Sequence, residues 1–290
     1  MHVDQVMRVE RLQKDKIPTL KEIIRKVYVV RYGEDTSALQ AALTNAGFAF
    51  DIVTKNYTET EFSYASICRG LLTHAEAWRR IASGSEPALV VEADFVPCVG
   101  FERFSLPHPD PSSVWCWLYT GTSVAYELVD GRYMRGHAAS PVATVIYPRL
   151  ASLLLRFVDE QFSTKNPTEY IPWDSYVDYW VRAHSDIETY LAFRSFGEHG
   201  GRPDPIHAQN RLHRTHRADC LVASLAFMPP YAEGSQFKLL TTRLIAKLKA
   251  FAKVLLLRRI DRGAFRGLTK QPPQLWQFLR YEFSRLWTVY

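Results

Sequence analysis

Cysteine is scarce in this chain. Four of 290 residues, Cys68, Cys98, Cys116 and Cys220, are scattered with no Cys-x-x-Cys pair among them. That excludes a zinc ribbon and a disulfide framework and suits a reducing compartment. Long apolar runs are lacking as well, none approaching the roughly 20 residues needed to span a bilayer. The opening stretch, Met1-His-Val-Asp-Gln-Val-Met-Arg8, has no apolar core of the kind a signal peptide carries. The sequence therefore predicts neither secretion nor a transmembrane anchor, and a cytoplasmic location. Internal repeats and low-complexity tracts are missing too. Acids are scarce in one place: residues 238–270 hold ten Lys/Arg against Asp261 alone, a net +9 within a chain total of +6, which leaves −3 elsewhere. The basic character belongs to that segment, so a nucleic-acid-binding body is not indicated.

What is present is apolar periodicity sufficient for one large core, with or without an appendage. Residues 1–26 read as a short helical lead-in. Val27–Val30 reads as a buried strand closed by Arg31-Tyr-Gly-Glu-Asp35. A helix capped by Thr36 or Ser37 follows, ending at Gly47, and then a strand over Phe48–Val53. Strand, helix and strand make a βαβ unit, the opening of a nucleotide-binding α/β sheet. A helical pattern covers residues 60–83, with His74 and Trp78 on one face. Further strands are expected over Val114–Tyr119, Ser123–Leu128, Tyr133–His137 and Val142–Tyr147, the middle pair joined at Asp130-Gly131. Helices are expected from Pro148 and from Pro172, and a last strand over Leu191–Phe196 running into Gly197-Glu-His-Gly-Gly201.

The stretch that organises the rest is Ala88–Pro97. An apolar β-branched run, Ala88–Val91, breaks into Glu92 and Asp94 two residues apart, hence on one side of the strand. Ligands bind at the carboxyl ends of strands in open α/β sheets. Hard divalent cations take carboxylate oxygens there, often shared with substrate phosphates.

In order along the chain stand Thr73-His74 with Trp78, Glu92-Ala-Asp94, Ala143-Thr-Val-Ile-Tyr147 before a helix, and Pro172-Trp-Asp174. This ordered set, spanning residues 27–180, resembles glycosyltransferase family 25, which holds the lipopolysaccharide-biosynthesis and collagen galactosyltransferases. The family's pattern is Ser-His-x-x-x-Trp, Glu-Asp-Asp, Thr-x-x-Tyr and Pro-Val-Asp. Here Thr73 replaces the serine and keeps a hydroxyl, Trp173 replaces the valine, and Ala93 replaces the middle acid. The resemblance implies a GT-A-type, Rossmann-like nucleotide-sugar-binding α/β fold with a mixed central sheet. It also implies a nucleotide-sugar donor, UDP-linked as in the family, and a Mn²⁺ or Mg²⁺ ion. On that basis Asp94 is the metal ligand and Glu92 a ligand or a contact to the donor's ribose or sugar. Asp174 is the general base of an inverting transfer to a glycan or lipopolysaccharide-type acceptor.

Each assignment has a plainer rival. His74 is a donor-site residue or a helix histidine bonded to a backbone carbonyl. Asp174 is a base or a helix N-cap. Arg31 and Tyr32 hold the nucleotide base or belong to a solvent-facing loop. His199 is a further metal ligand or part of a turn. His207, His213, His216 and Cys220 match no zinc spacing, and Arg211, Arg214 and Arg217 between them suggest an exposed basic loop.

The domain reading is a transferase domain over 1–237 and a basic amphipathic helical extension over 238–290. In residues 238–260, Leu240, Leu244, Leu248, Phe251 and Leu255 form one stripe and Arg243, Lys247, Lys249 and Lys253 the other side. That pattern predicts a helix lying on an anionic membrane surface at its cytoplasmic face. Two alternatives stand beside the enzyme: a catalytically inactive GT-A domain that binds glycans or acts as a scaffold, suggested by Ala93, and a basic membrane-surface adaptor.

Overall fold

A computed structural model describes residues 17–110, 113–202, 216–268 and 270–287. Of the lead-in, helix α1 (Leu20–Ile23) is described, closed by a reciprocal Thr19–Glu22 capping box. Strands β1 (Lys26–Val30) and β2 (Ala49–Val53) run parallel on either side of helix α2 (Ser37–Asn45). The start of α2 differs in detail from expectation. The Thr36 hydroxyl is taken by the Gln40 amide, and the Asp35 carboxylate accepts the Ser37 N–H. Gly47, at φ +72°, turns the chain out of α2, a conformation that a side chain would strain.

The helical pattern over 60–83 splits into α3 (Glu59–Phe62) and α4 (Ser66–Ala82). Between them the chain turns toward a later helix, α5 (Pro148–Thr164): Tyr64 stacks on Phe162 at 5.7 Å, and the Ala65 N–H donates to the Pro167 carbonyl. The long-range partners outcompete helix continuation at those residues.

The acidic stretch forms β3 (Ala88–Glu92), a turn, and β4 (Phe95–Pro97). Next come β5 (Trp115–Trp117), β6 (Val124–Val129), β7 (Tyr133–His137) and β8 (Ala143–Ile146). Asp130 and Gly131 both take positive φ in the β6–β7 hairpin, as its turn type requires. Strand β9 (Thr189–Leu191) completes an eight-stranded mixed sheet of order β2-β1-β3-β8-β5-β9-β7-β6. Strands β2, β1 and β3 are parallel, and β8 runs against both β3 and β5. The carboxyl ends of β1, β3 and β5 therefore share one edge of the sheet.

The strand expected over Leu191–Phe196 begins earlier and stops at Leu191. Ala192 and Phe196 still bond to the carbonyls of Trp117 and Leu118, but the residues between leave the ladder. Phe193 packs edge-on against Tyr281 at 5.0 Å, Arg194 donates to the Arg285 carbonyl, and the Ser195 N–H goes to Cys220. The Gly197–Gly201 stretch, read as a turn, opens with β10 (Gly197–His199), antiparallel to β4 in a separate two-stranded ribbon.

The C-terminal part consists of α7 (Gln236–Leu255), α8 (Arg262–Leu268) and α9 (Pro272–Trp287); α6 (Val177–His184) precedes β9. The expected helix at 238–260 is present and its basic side divides: Lys247 and Lys249 are exposed, while Arg243 and Lys253 are half-buried. Arg243 reaches inward to the fully buried Glu198 and to the Ala218 carbonyl, because a buried carboxylate without a cation is costly. Ala246, Ala250 and Val254 follow it inward, and Lys247 lies 5.1 Å over the Trp287 ring. The leucine side is exposed as well: Leu240, Leu244, Leu248 and Leu255 are each 58–65% accessible, and Phe237 is 77%. Phe251 is the exception, half-buried against Phe283 and Trp287.

A second buried network fastens this part to the sheet. Asp219 pairs with Arg259 and with Arg285 at 2.5 Å, and Glu282 lies 2.8 Å from Arg259. Burial pushes the Asp219 carboxyl up, but the two guanidinium groups outweigh it and hold it far below the usual carboxylate range. No helix among the described residues is long and apolar enough to cross a membrane.

Candidate active site

Register alone places the first parts of the site. Val30 pairs with Glu92, so Arg31 leaves β1 beside the acid that ends β3. The Glu92 N–H donates to the Val142 carbonyl, and the Ala93 N–H to Val30, which pins the turn carrying both acids. Ala93 itself packs into the main apolar core. The position where the family carries its middle acid thus points away from the carboxylates on either side.

The β4–β10 ribbon does the rest. His199 pairs with Phe95 in register, and the Gly200 N–H donates to the Asp94 carbonyl. The imidazole Nε2 then sits 2.9 Å from Asp94 Oδ2 and 3.9 Å from Glu92 Oε2. A Cβ at Gly201 would collide with the Asp94 carboxylate, so glycine is required for this approach. On the other side, His74 Nε2 lies 3.4 Å from Glu92 Oε1. His74 is held by α4 between Trp78 and Trp173, with ring centroids at 5.7 and 5.4 Å. Trp173 is fixed in turn by its indole N–H donating to the Ile67 carbonyl.

That bond carries Asp174 to the site. It stands in a 3₁₀ turn (Trp173–Ser175), while the residue preceding α6 is Tyr176, so the N-cap alternative does not hold. Burial, followed by the neighbouring Glu92 charge, pushes the Asp174 carboxyl up to about 7. Arg31 and Tyr32 lie at the near end of the same edge. Tyr32 is exposed and packs on Tyr57 at 5.8 Å, whose hydroxyl meets Thr73 Oγ1 at 2.5 Å, and Arg31 Nε is buried without a partner.

Two parts of the arrangement were not read from the sequence. Arg217, placed in an exposed basic loop, is half-buried. Its guanidinium donates to the carbonyls of His199 and Gly201, and it stacks 3.9 Å over Tyr231. Glu198 accepts the N–H groups of His199 and Ala218 and so sets the imidazole's backbone. The Gly200-Gly201 pair was the visible signal for close approach, while nothing near Arg217 marked it. Of the remaining candidates, His207, His213, Arg211 and Arg214 lie outside the described residues, and His216 bonds Thr122 Oγ1 at 2.8 Å.

Glu92, Asp94 and His199 each offer one ligand atom, and these atoms lie within 4.8 Å of one another. Asp94 Oδ1 is buried with no hydrogen-bond partner. Two carboxylates and an imidazole are a donor set that suits Mn²⁺, and the three residues fit the ion. His199 Nδ1 also finds no acceptor, so the outer partner that usually fixes a metal-binding imidazole is missing.

Without a cation, the imidazole and carboxylate neutralise each other. Burial disfavours the imidazolium, but the Asp94 and Glu92 charges more than offset it, and His199 is pushed up to about 9 from an ordinary 6.5. Asp94 is held below its usual range: burial opposes ionisation, and His199, Arg217 and the Gly201 N–H outweigh it. The folded state therefore binds the His199 proton more tightly than the unfolded state. The stabilisation is complete below pH 6.5 and is lost as pH rises to about 9. Thermal melts without metal are expected to show this loss between those values, and His199→Gln to abolish it. Mn²⁺ binding should tighten across the same window, because the proton must leave first. Metal affinity independent of pH would remove His199 from the ligand set.

No family model matches the chain, and no curated protein matches it. Among solved structures it is similar to one described as a crystal structure of a glycosyltransferase involved in the glycosylation of the major capsid of PBCV-1. The two are 9% identical over 58% of this chain and 80% of that one, with a TM-score of 0.35. A likeness of that size identifies no family and no activity, so the resemblance to family 25 rests on the ordered motifs alone.

Proposed function

We propose that the chain is a GT-A-type glycosyltransferase that moves a hexose, galactose or a relative, from a UDP-linked donor to a glycan or lipopolysaccharide-type acceptor with inversion. The observation that carries this reading is the convergence of Glu92, Asp94 and His199 at a strand end, with Asp174 near enough to Glu92 to feel its charge. Arg31 and Tyr32 take the nucleotide base, and His74 and Glu92 the ribose or sugar. Asp94, Glu92 and His199 hold Mn²⁺ or Mg²⁺, which when bound neutralises charge on the departing diphosphate. Asp174 takes the acceptor hydroxyl proton, for which a carboxyl near 7 is well matched. The inactive-domain reading was motivated by Ala93 and weakens with that residue packed in the core. Residues 238–260, with their exposed apolar stripe, are read as the part that meets an anionic membrane surface at the cytoplasmic face.

The test is thermal stability and UDP release with a panel of UDP-hexoses, with and without Mn²⁺. No stabilisation and no turnover by any of them would end the transferase reading. If turnover is found, kcat/KM should rise with pH through a midpoint at or below about 7, since a bound cation lowers the Asp174 value. Asp174→Asn should flatten that limb and lower the rate by roughly 10²–10⁴-fold. An unchanged profile would assign the base elsewhere.

A further inference from the structure

Beside the metal cluster, on the far side of Arg217, lies a cavity of about 520 Å³ between α7 and residues 216–219. Its polar lining is Thr122, His216, Arg217, Thr242, Lys249 and Lys253. Ile245, Ala246 and Ala250 make its apolar wall. The one acid in the lining, Asp219, is already saturated by Arg259, Arg285, the Thr120 hydroxyl and the Cys220 N–H. Glu198, the other buried acid nearby, is held by Arg243. Arg217, Lys249 and Lys253 therefore leave the cavity net positive. Neither lysine makes an ion pair or hydrogen bond among the described residues, and Lys253 is half-buried, with burial holding its pKa below the usual value. A half-buried, unpaired Lys253 ammonium beside Arg217 and the exposed Lys249 is costly unless an anion joins it.

The cavity also has an apolar continuation. Ile245 lines it and is itself 50% exposed, and on the next faces of α7 stand the exposed Leu244, Leu248 and Phe237. A ligand that suits both parts has an anionic head and an aliphatic body. We propose that this cavity receives the phosphate head of a lipid, with the exposed stripe of α7 against its acyl chains. A phosphate-headed lipid is thereby the acceptor-side ligand. Its role as acceptor rests on the transferase reading above; the lipid site does not.

The test uses the full chain and flotation with phosphatidylcholine vesicles, with or without phosphatidic acid. Binding should require phosphatidic acid and weaken as salt rises. Lys249→Gln with Lys253→Gln should weaken it roughly tenfold or more. Leu244→Ser with Leu248→Ser should weaken it as well. The lysine variant should keep its melting temperature, because the lost amines have no partners, and Lys249→Gln alone serves as a milder second variant. Undiminished vesicle binding by both lysine variants would overturn the site. Full competition by soluble glycerol 3-phosphate would overturn the lipid and leave a water-soluble phosphate. Loss of UDP-hexose stabilisation in the lysine variant would assign the cavity to the donor's diphosphate instead. Lipid binding intact in a protein that turns over no UDP-hexose would sink the transferase reading and leave this one standing.

Discussion

An Asp94→Asn substitution is expected to lower sugar transfer by roughly 10²–10³-fold or more while costing only about 1 kcal/mol of stability. On the proposed reading the carboxylate sits where charge on the leaving diphosphate develops, and its Oδ1 is buried without a hydrogen-bond partner. Asparagine keeps the shape and one acceptor oxygen but neutralises the ligand. The stability cost is limited because the imidazole can respond. With the Asp94 charge gone, His199 loses the main cause of its raised pKa and becomes neutral near pH 7, so no buried cation is stranded. Activity and melting temperature therefore separate: kcat/KM collapses and the melting curve barely moves. A variant whose activity loss merely tracks its unfolding would show Asp94 to be a structural acid.

The opposite pattern is expected for Arg243→Met. Glu198 is fully buried, accepts two backbone N–H groups, and has Arg243 as its cation. Removing that cation leaves an uncompensated buried carboxylate, which costs about 3–5 kcal/mol. In a protein of this size that is a fall of roughly 6–20 °C in Tm. Adding Glu198→Gln should recover much of it, because the amide still accepts from the Ala218 N–H without a charge to bury. If Arg243→Met melts like the wild type, the pair is exposed in solution and α7 is free of the sheet. A version ending before Lys238 should be strongly destabilised, since it strands both Glu198 and Asp219.

Much of the sheet was legible because buried strands announce themselves. Val27–Val30 and Ala88–Val91 are β-branched runs with no competing period, and Asp130-Gly131 admits few turns other than a hairpin. The paired acids were legible for the same reason, since spacing along a strand fixes the side on which they emerge. The partner strand was not. Gly197-Glu-His-Gly-Gly201 has too much glycine to read as β, and only the long-range pairing of His199 with Phe95 makes it so. Arg243 shows a second limit. Helical spacing placed it opposite the leucines correctly, but its inward turn depends on a buried acid 45 residues earlier. With Arg243, Ala246, Ala250 and Val254 turned inward, the leucines of α7 are left exposed.

The Asp219 network has a consequence for how the chain is made. Asp219 waits for Arg285, 66 residues further along. At elongation rates of 5–20 residues per second, that interval lasts roughly 3–13 s. Throughout it the carboxylate has no Arg285 to pair with, and Tyr281 has yet to cover Phe193 at the edge of the sheet. The nascent body therefore spends seconds on the ribosome with an incomplete core. Slower translation over α8 and α9 lengthens that interval.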